Sequence, residues 1–89
     1  MSLWAESITI REDETTATQD GLLLGHKGKH LDYVRVVIGR VGLDYTRQAN
    51  LMLGEAYKYY YGGIYEVRLM KTARERGKDI AELLVTRFE

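Results

Sequence analysis

The 89-residue sequence contains no cysteine and no proline. Without cysteine, neither a disulfide nor a thiolate metal site can hold the fold. That fits a reducing compartment, and the chain is expected in the cytoplasm. Nothing marks a linker: there is no proline-rich, repeated or low-complexity stretch, so residues 1–89 are expected to form one continuous domain. No apolar run approaches the ~20 residues of a membrane-spanning helix, and no signal-peptide pattern is present, so no membrane partner is expected. An excess of one charge sign is also missing. Thirteen lysines and arginines balance thirteen aspartates and glutamates, which removes the simplest electrostatic argument for a nucleic-acid partner.

What the chain does have is an apolar fraction of 45% with nine aromatic residues, enough for one compact core and too much for disorder. Met1-Ser2-Leu3 is bland and reads as a cloning remnant, with the native sequence starting near Trp4. The charges are unevenly spread. Residues 1–20 carry Arg11 against Glu6, Glu12, Asp13, Glu14 and Asp20, whereas residues 21–50 carry Lys27, Lys29, Arg35, Arg40 and Arg47 against Asp32 and Asp44. The second block is the most basic part of the chain.

Ser7 to Arg11 alternates, with Ile8 and Ile10 on one parity, and reads as a half-buried strand ended by Glu12-Asp13-Glu14. Ile64 to Met70 alternates in the same way. Between them the period reads as helical. Leu31, Val34, Ile38, Val41 and Tyr45 share one face, and Ala49, Met52 or Leu53, Ala56 and Tyr60 share another, ending at Gly62-Gly63. Thr72 reads as the cap of a last helix carrying Ala73, Ile80, Ala81, Leu84 and Phe88. The expected class is α+β: strands near both ends of the chain on one sheet, packed against two or three helices.

The stretch Gly21 to Val34 stands apart. It joins an apolar run to Gly25-His26-Lys27-Gly28, with Lys29 and the periodic segment immediately after. Glycines let backbone approach a ligand closely, and a loop opening a helix would present free N–H groups to an anion. With Lys27 and Lys29 alongside, that anion is expected to be a phosphate.

An apolar run, Gly-x-x-Gly, and apolar residues three and six places later (here Leu31 and Val34) resemble the core of KH (K homology) RNA-binding domains. The nearest version is that of the bacterial Jag proteins, with Leu31-Asp32 after the turn. The resemblance covers residues ~7–41. It implies a KH-like fold and a loop that clamps the backbone of about four single-stranded nucleotides. On that basis Gly25, His26, Lys27 and Gly28 form the clamp, Lys29 and Arg35 add phosphate contacts, and RNA is a more fitting partner than DNA.

Tyr57, Tyr59, Tyr60, Tyr61 and Tyr65 form the other concentration. On a helix, successive side chains point about 100° apart, so Tyr57 and Tyr60 or Tyr61 are expected in the core and Tyr59 outside. Tyrosine is also enriched at interfaces. The alternative function is therefore a non-catalytic structural or protein-interaction domain, a homodimer through this segment. His26, His30 and Asp32 offer no third metal ligand of convincing spacing, and no nucleophile motif is present. No metal, no cofactor and no enzymatic activity are expected. Ala73 to Phe88 also has the helix–glycine–helix look of small DNA-binding repressors, but its first helix would be too short.

Overall fold

A computed structural model describes residues 2–42, 46–60 and 63–88. Among these there is no helix. Eight strands make two antiparallel sheets: β1 (Ser2–Arg11), β2 (Thr15–Ala17), β3 (Leu22–His30), β4 (Tyr33–Arg40), β5 (Arg47–Met52), β6 (Ala56–Tyr60), β7 (Ile64–Glu75) and β8 (Lys78–Phe88). One sheet has the order β1-β8-β7-β6 and the other β2-β3-β4-β5. Each strand pairs with its neighbour in sequence, except where the chain changes sheet at β1/β2 and β5/β6. Strand β1 closes back onto β8. This is the connectivity of an up-and-down barrel flattened into two layers. The shortest dimension, 19 Å, fits two sheets about 10 Å apart with their outer side chains.

The α+β, KH-like expectation is thus corrected to all-β. The two strands read from the sequence do exist and share a sheet, but they lie on either side of β8. The three helices are strands. In β4 the inward row is Val34, Val36 and Ile38, all buried, while Leu31 and Val41, assigned to the helical face, are 84% and 58% exposed in turns. A β-branched run loses χ1 freedom in a helix and packs well on a pleated surface. In the second segment Ala49, Leu51 and Tyr59 are buried, and Met52, Leu53 and Tyr60 are exposed. In the third, Thr72 caps nothing. It pairs with Ala81 inside the β7–β8 hairpin, and β8 buries Ala81, Leu83 and Val85 at a period of two.

Both inward faces meet in one apolar cluster. Ile8, Ile10, Tyr65, Val67 and Leu69 come from one sheet, and Leu22, Leu24, Val34 and Leu51 from the other. Tight turns keep the register. The β7–β8 turn holds Arg76 and Gly77 at φ 52° and 78°, the paired positive values of a type I′ hairpin. The β3–β4 turn holds Leu31 at φ 56°, where a Cβ crowds the following carbonyl at a cost of roughly 1–2 kcal/mol. Because Leu31 packs against almost nothing, Leu31→Gly is expected to stabilise the fold by about 0.5–1 kcal/mol after the entropic cost of glycine. Urea unfolding of both proteins measures it, and a less stable variant would mean that Leu31 makes a contact worth more than its strain.

Candidate nucleic-acid interface on the β3–β4 hairpin

The Gly-x-x-Gly segment is part of β3, not a loop, and no helix follows it. The anion site expected from helix-opening N–H groups therefore does not form. Gly25 sits opposite Val37 in regular register, and a Cβ there would meet Thr15 Oγ1 at 3.4 Å. His26 is fully buried on the inward row with Leu22 and Leu24. His26 is therefore not placed to touch a ligand at the surface.

The chain then departs from regular pairing. Between His26↔Val36 and Lys29↔Val34 the register shifts, so Lys27 and Gly28 together oppose Arg35. That is a β-bulge, and Gly28 at φ 116° is the residue that permits it. The backbone N–H of Gly28 donates to His26 Nδ1 at 3.0 Å. An accepting Nδ1 places the neutral imidazole's proton on Nε2, which is buried and has no partner among the described residues. Burial holds the His26 pKa below its ordinary value, and the nearby carboxylates of Glu12, Asp79 and Asp13 only partly offset this.

The bulge gathers side chains at one edge of the sheet. Lys27, Lys29 and Arg35 line an open groove of about 340 Å³ together with Gly28, the rings of His30 and Tyr33, and the Glu12 carboxylate. The two rings are 5.6 Å apart and tilted by 54°. Lys27, Lys29 and Arg35 are exposed and enter no ion pair among the described residues. Arg35 Nε donates to Asn50 Oδ1 at 3.4 Å, which steadies the guanidinium across β4 and β5. A smaller, apolar trough of about 120 Å³ over Leu23, Gly25 and Val37 shares Lys27 with the groove. Four of the six residues expected to bind nucleic acid, Lys27, Gly28, Lys29 and Arg35, thus come together. His30, Tyr33 and Glu12 were not singled out. The signal for Tyr33 was its parity with Arg35, visible only once the segment is read as a strand.

The tyrosines follow strand parity as well, which exchanges the places expected of Tyr59 and Tyr60 and leaves Tyr57 on the inward row. Tyr59 and Tyr65 are core residues, Tyr57 is half-buried against the core, and Tyr60 is exposed. Tyr61 lies outside the described residues. Of the four described tyrosines of this segment, Tyr60 alone is exposed over most of its surface.

A second polar cluster, unsuspected from the sequence, closes the opposite end of the sandwich. Tyr65 Oη donates to Asp20 Oδ2 at 2.5 Å and accepts from Arg40 at 2.7 Å. Thr18 donates to Asp20 Oδ1 at 2.6 Å, and Arg87 reaches Oδ2 at 3.3 Å. The Arg40 and Arg87 guanidinium carbons lie 5.8 and 5.6 Å from the Tyr65 ring centre, within cation–π range. Burial raises the Asp20 carboxyl, but the hydrogen bonds from Thr18 and Tyr65 and the charges of Arg87 and Arg40 outweigh it and hold the pKa below the ordinary value. Every oxygen of this carboxylate is engaged, so the cluster fastens the two sheets rather than offering an acid or base to a substrate. Among the described residues no group of histidines and carboxylates could hold a metal ion.

The fold defines an antiparallel, all-β domain of up-and-down connectivity. Comparisons with protein-family models, curated proteins and solved structures find no match.

Proposed function

We propose that the chain is a single-stranded nucleic-acid-binding module that grips its ligand in the β3–β4 groove. The observation that supports this reading is the set of three cations that enter no ion pair among the described residues, Lys27, Lys29 and Arg35, around the paired rings of His30 and Tyr33. Cations neutralise phosphates, and an aromatic face accepts a stacked base of any identity. The apolar trough that shares Lys27 gives the neighbouring sugar or base a place to lie. Glu12, an acceptor-only group in the same groove, disfavours phosphate beside it but suits a ribose 2′-OH, which favours RNA over DNA.

Fluorescence anisotropy with short RNA and DNA strands of one sequence tests the reading. Lys27→Ala and Lys29→Ala are each expected to weaken binding and to flatten the dependence of log K on log salt by about 0.7 per lost phosphate contact. Tyr33→Ala is expected to cost about 1–3 kcal/mol if a base stacks on it. The reading fails if the parent binds no single strand at low salt, or if replacing both lysines by glutamate leaves binding unchanged. A structural or protein-interaction role then takes its place.

A further inference from the structure

The exposed edges of the two sheets are not treated alike. A free edge presents unpaired N–H and C=O groups, and proteins usually blunt it with short strands, charges or bulges. Strand β2 is three residues long and β6 is five, with Lys58 at its centre. Beyond the end of β6, β7 is interrupted by a register shift at Met70 and carries Lys71, Arg74 and Glu75. Strand β1 is ten residues long, and its one bulge against β8 lies at its start, between Ser2 and Trp4. From Trp4 to Arg11 its register with β8 is unbroken. Among the described residues, backbone hydrogen bonds to the other sheet start only beyond Arg11, at Asp13 and Glu14 with His26. Its outward row is Ala5, Ser7 and Thr9, all exposed, small and uncharged. Its one charge before Arg11, Glu6, lies on the inward row and accepts from the Gln19 N–H.

An unpaired strand edge is matched by another strand, and a second copy of β1 is a suitable one. Antiparallel self-pairing centred on Ser7 sets Ala5 opposite Thr9, Glu6 opposite Ile8 and Trp4 opposite Ile10, with no like charges facing. Centring on Glu6 would oppose two carboxylates, which is destabilising. The chain's zero net charge adds no long-range repulsion between copies. We propose that the protein forms a two-fold symmetric dimer through antiparallel β1–β1 pairing, joining two four-stranded sheets into one of eight strands. The interface is isologous, as a closed dimer requires.

Sedimentation equilibrium over a concentration series, with thermal unfolding of each variant to confirm that it folds, tests the proposal. The parent is expected to approach twice its 10.3 kDa mass. Ser7→Lys and Ser7→Glu, each placing a charge opposite its own copy on the two-fold axis, are each expected to weaken the dimer about ten-fold or more. An equimolar mixture of the two is expected to restore it as a heterodimer. A parent that remains at 10.3 kDa throughout overturns the proposal. So does a single variant that dimerises like the parent, a mixture that does not recover, or a dimer lost in Tyr60→Ala but not in Ser7→Lys.

Discussion

Asp20→Ala is expected to destabilise the domain by about 2–4 kcal/mol, a large share of the 5–15 kcal/mol by which such domains are stable. The carboxylate is the common partner of Thr18, Tyr65 and Arg87, and through Tyr65 it is linked to Arg40. Its removal takes a carboxylate acceptor from Arg87 and from the Tyr65 hydroxyl, and an unmet buried donor costs more than its hydrogen bond had contributed. Tyr65→Phe keeps a ring within cation–π range of both arginines and removes only the hydroxyl, so about 1–2 kcal/mol is expected. The pH dependence follows from the direction of the Asp20 shift. A carboxyl held below its unfolded pKa contributes stability that is complete above the unfolded value and is lost as pH falls through the folded one. Asp20→Ala should therefore narrow its stability gap to the parent in acid. A gap that is constant from neutral pH down to the carboxylate range would mean that the cluster acts through packing alone.

His26 is expected to control stability at a different pH. Burial depresses its pKa, so the folded protein holds the neutral ring while the unfolded chain takes up a proton near 6.5. Stability is then full above that value and falls as pH drops below it, by at most about 1.4 kcal/mol per pH unit for one proton. The groups facing the ring are Glu12 and Asp13 from the β1–β2 turn and Asp79 from β8; they soften the fall without reversing it. His26→Phe removes the buried, unpartnered Nε2 and the proton, and also the acceptor for the Gly28 N–H. Near pH 8 these losses and gains are expected to offset to within about 1 kcal/mol. Near pH 5 the variant should be the more stable protein. Urea unfolding of both across this range measures the crossing, and parallel curves would sink the assignment. Protonated His26 cannot accept at Nδ1, so the bulge that sets Lys27 and Lys29 beside Arg35 should also loosen in acid. On the proposed function, RNA binding by the parent is then expected to decline below the pH at which stability does.

The strands at Ser7–Arg11 and Ile64–Met70 were legible because their alternation is uncontested by any other period. Val34, Val36 and Ile38 alternate too, but Val34 and Ile38 are also four apart, and Leu31 and Val41 extended that spacing into a false helical face. The burial of those two residues decides between the readings, and it is fixed by turns that no local rule anticipates. A leucine at positive φ and an arginine in a type I′ turn both break the usual preference for glycine or asparagine. Tyr59 and Tyr60 went wrong for the same reason: a change of period from 3.6 to two exchanges which of them faces inward.

The sequence by itself determined the balance of charge, the absence of cross-links, the two alternating strands and the basic block around Lys27 and Lys29. These are properties of composition and of neighbours in the chain. Only the tertiary structure decided that His26 is buried while Lys27 is exposed, because once β3 is a strand its alternation puts His26 on the inward row with Leu22 and Leu24 and Lys27 on the other face, ahead of the bulge at Gly28. It alone joined Asp20, Arg40, Tyr65 and Arg87 into one cluster, since residues up to 67 apart meet only when two sheets close over a shared core. It alone left β1 as a sheet edge, because whether a strand is paired on one side or both depends on where every other strand has gone.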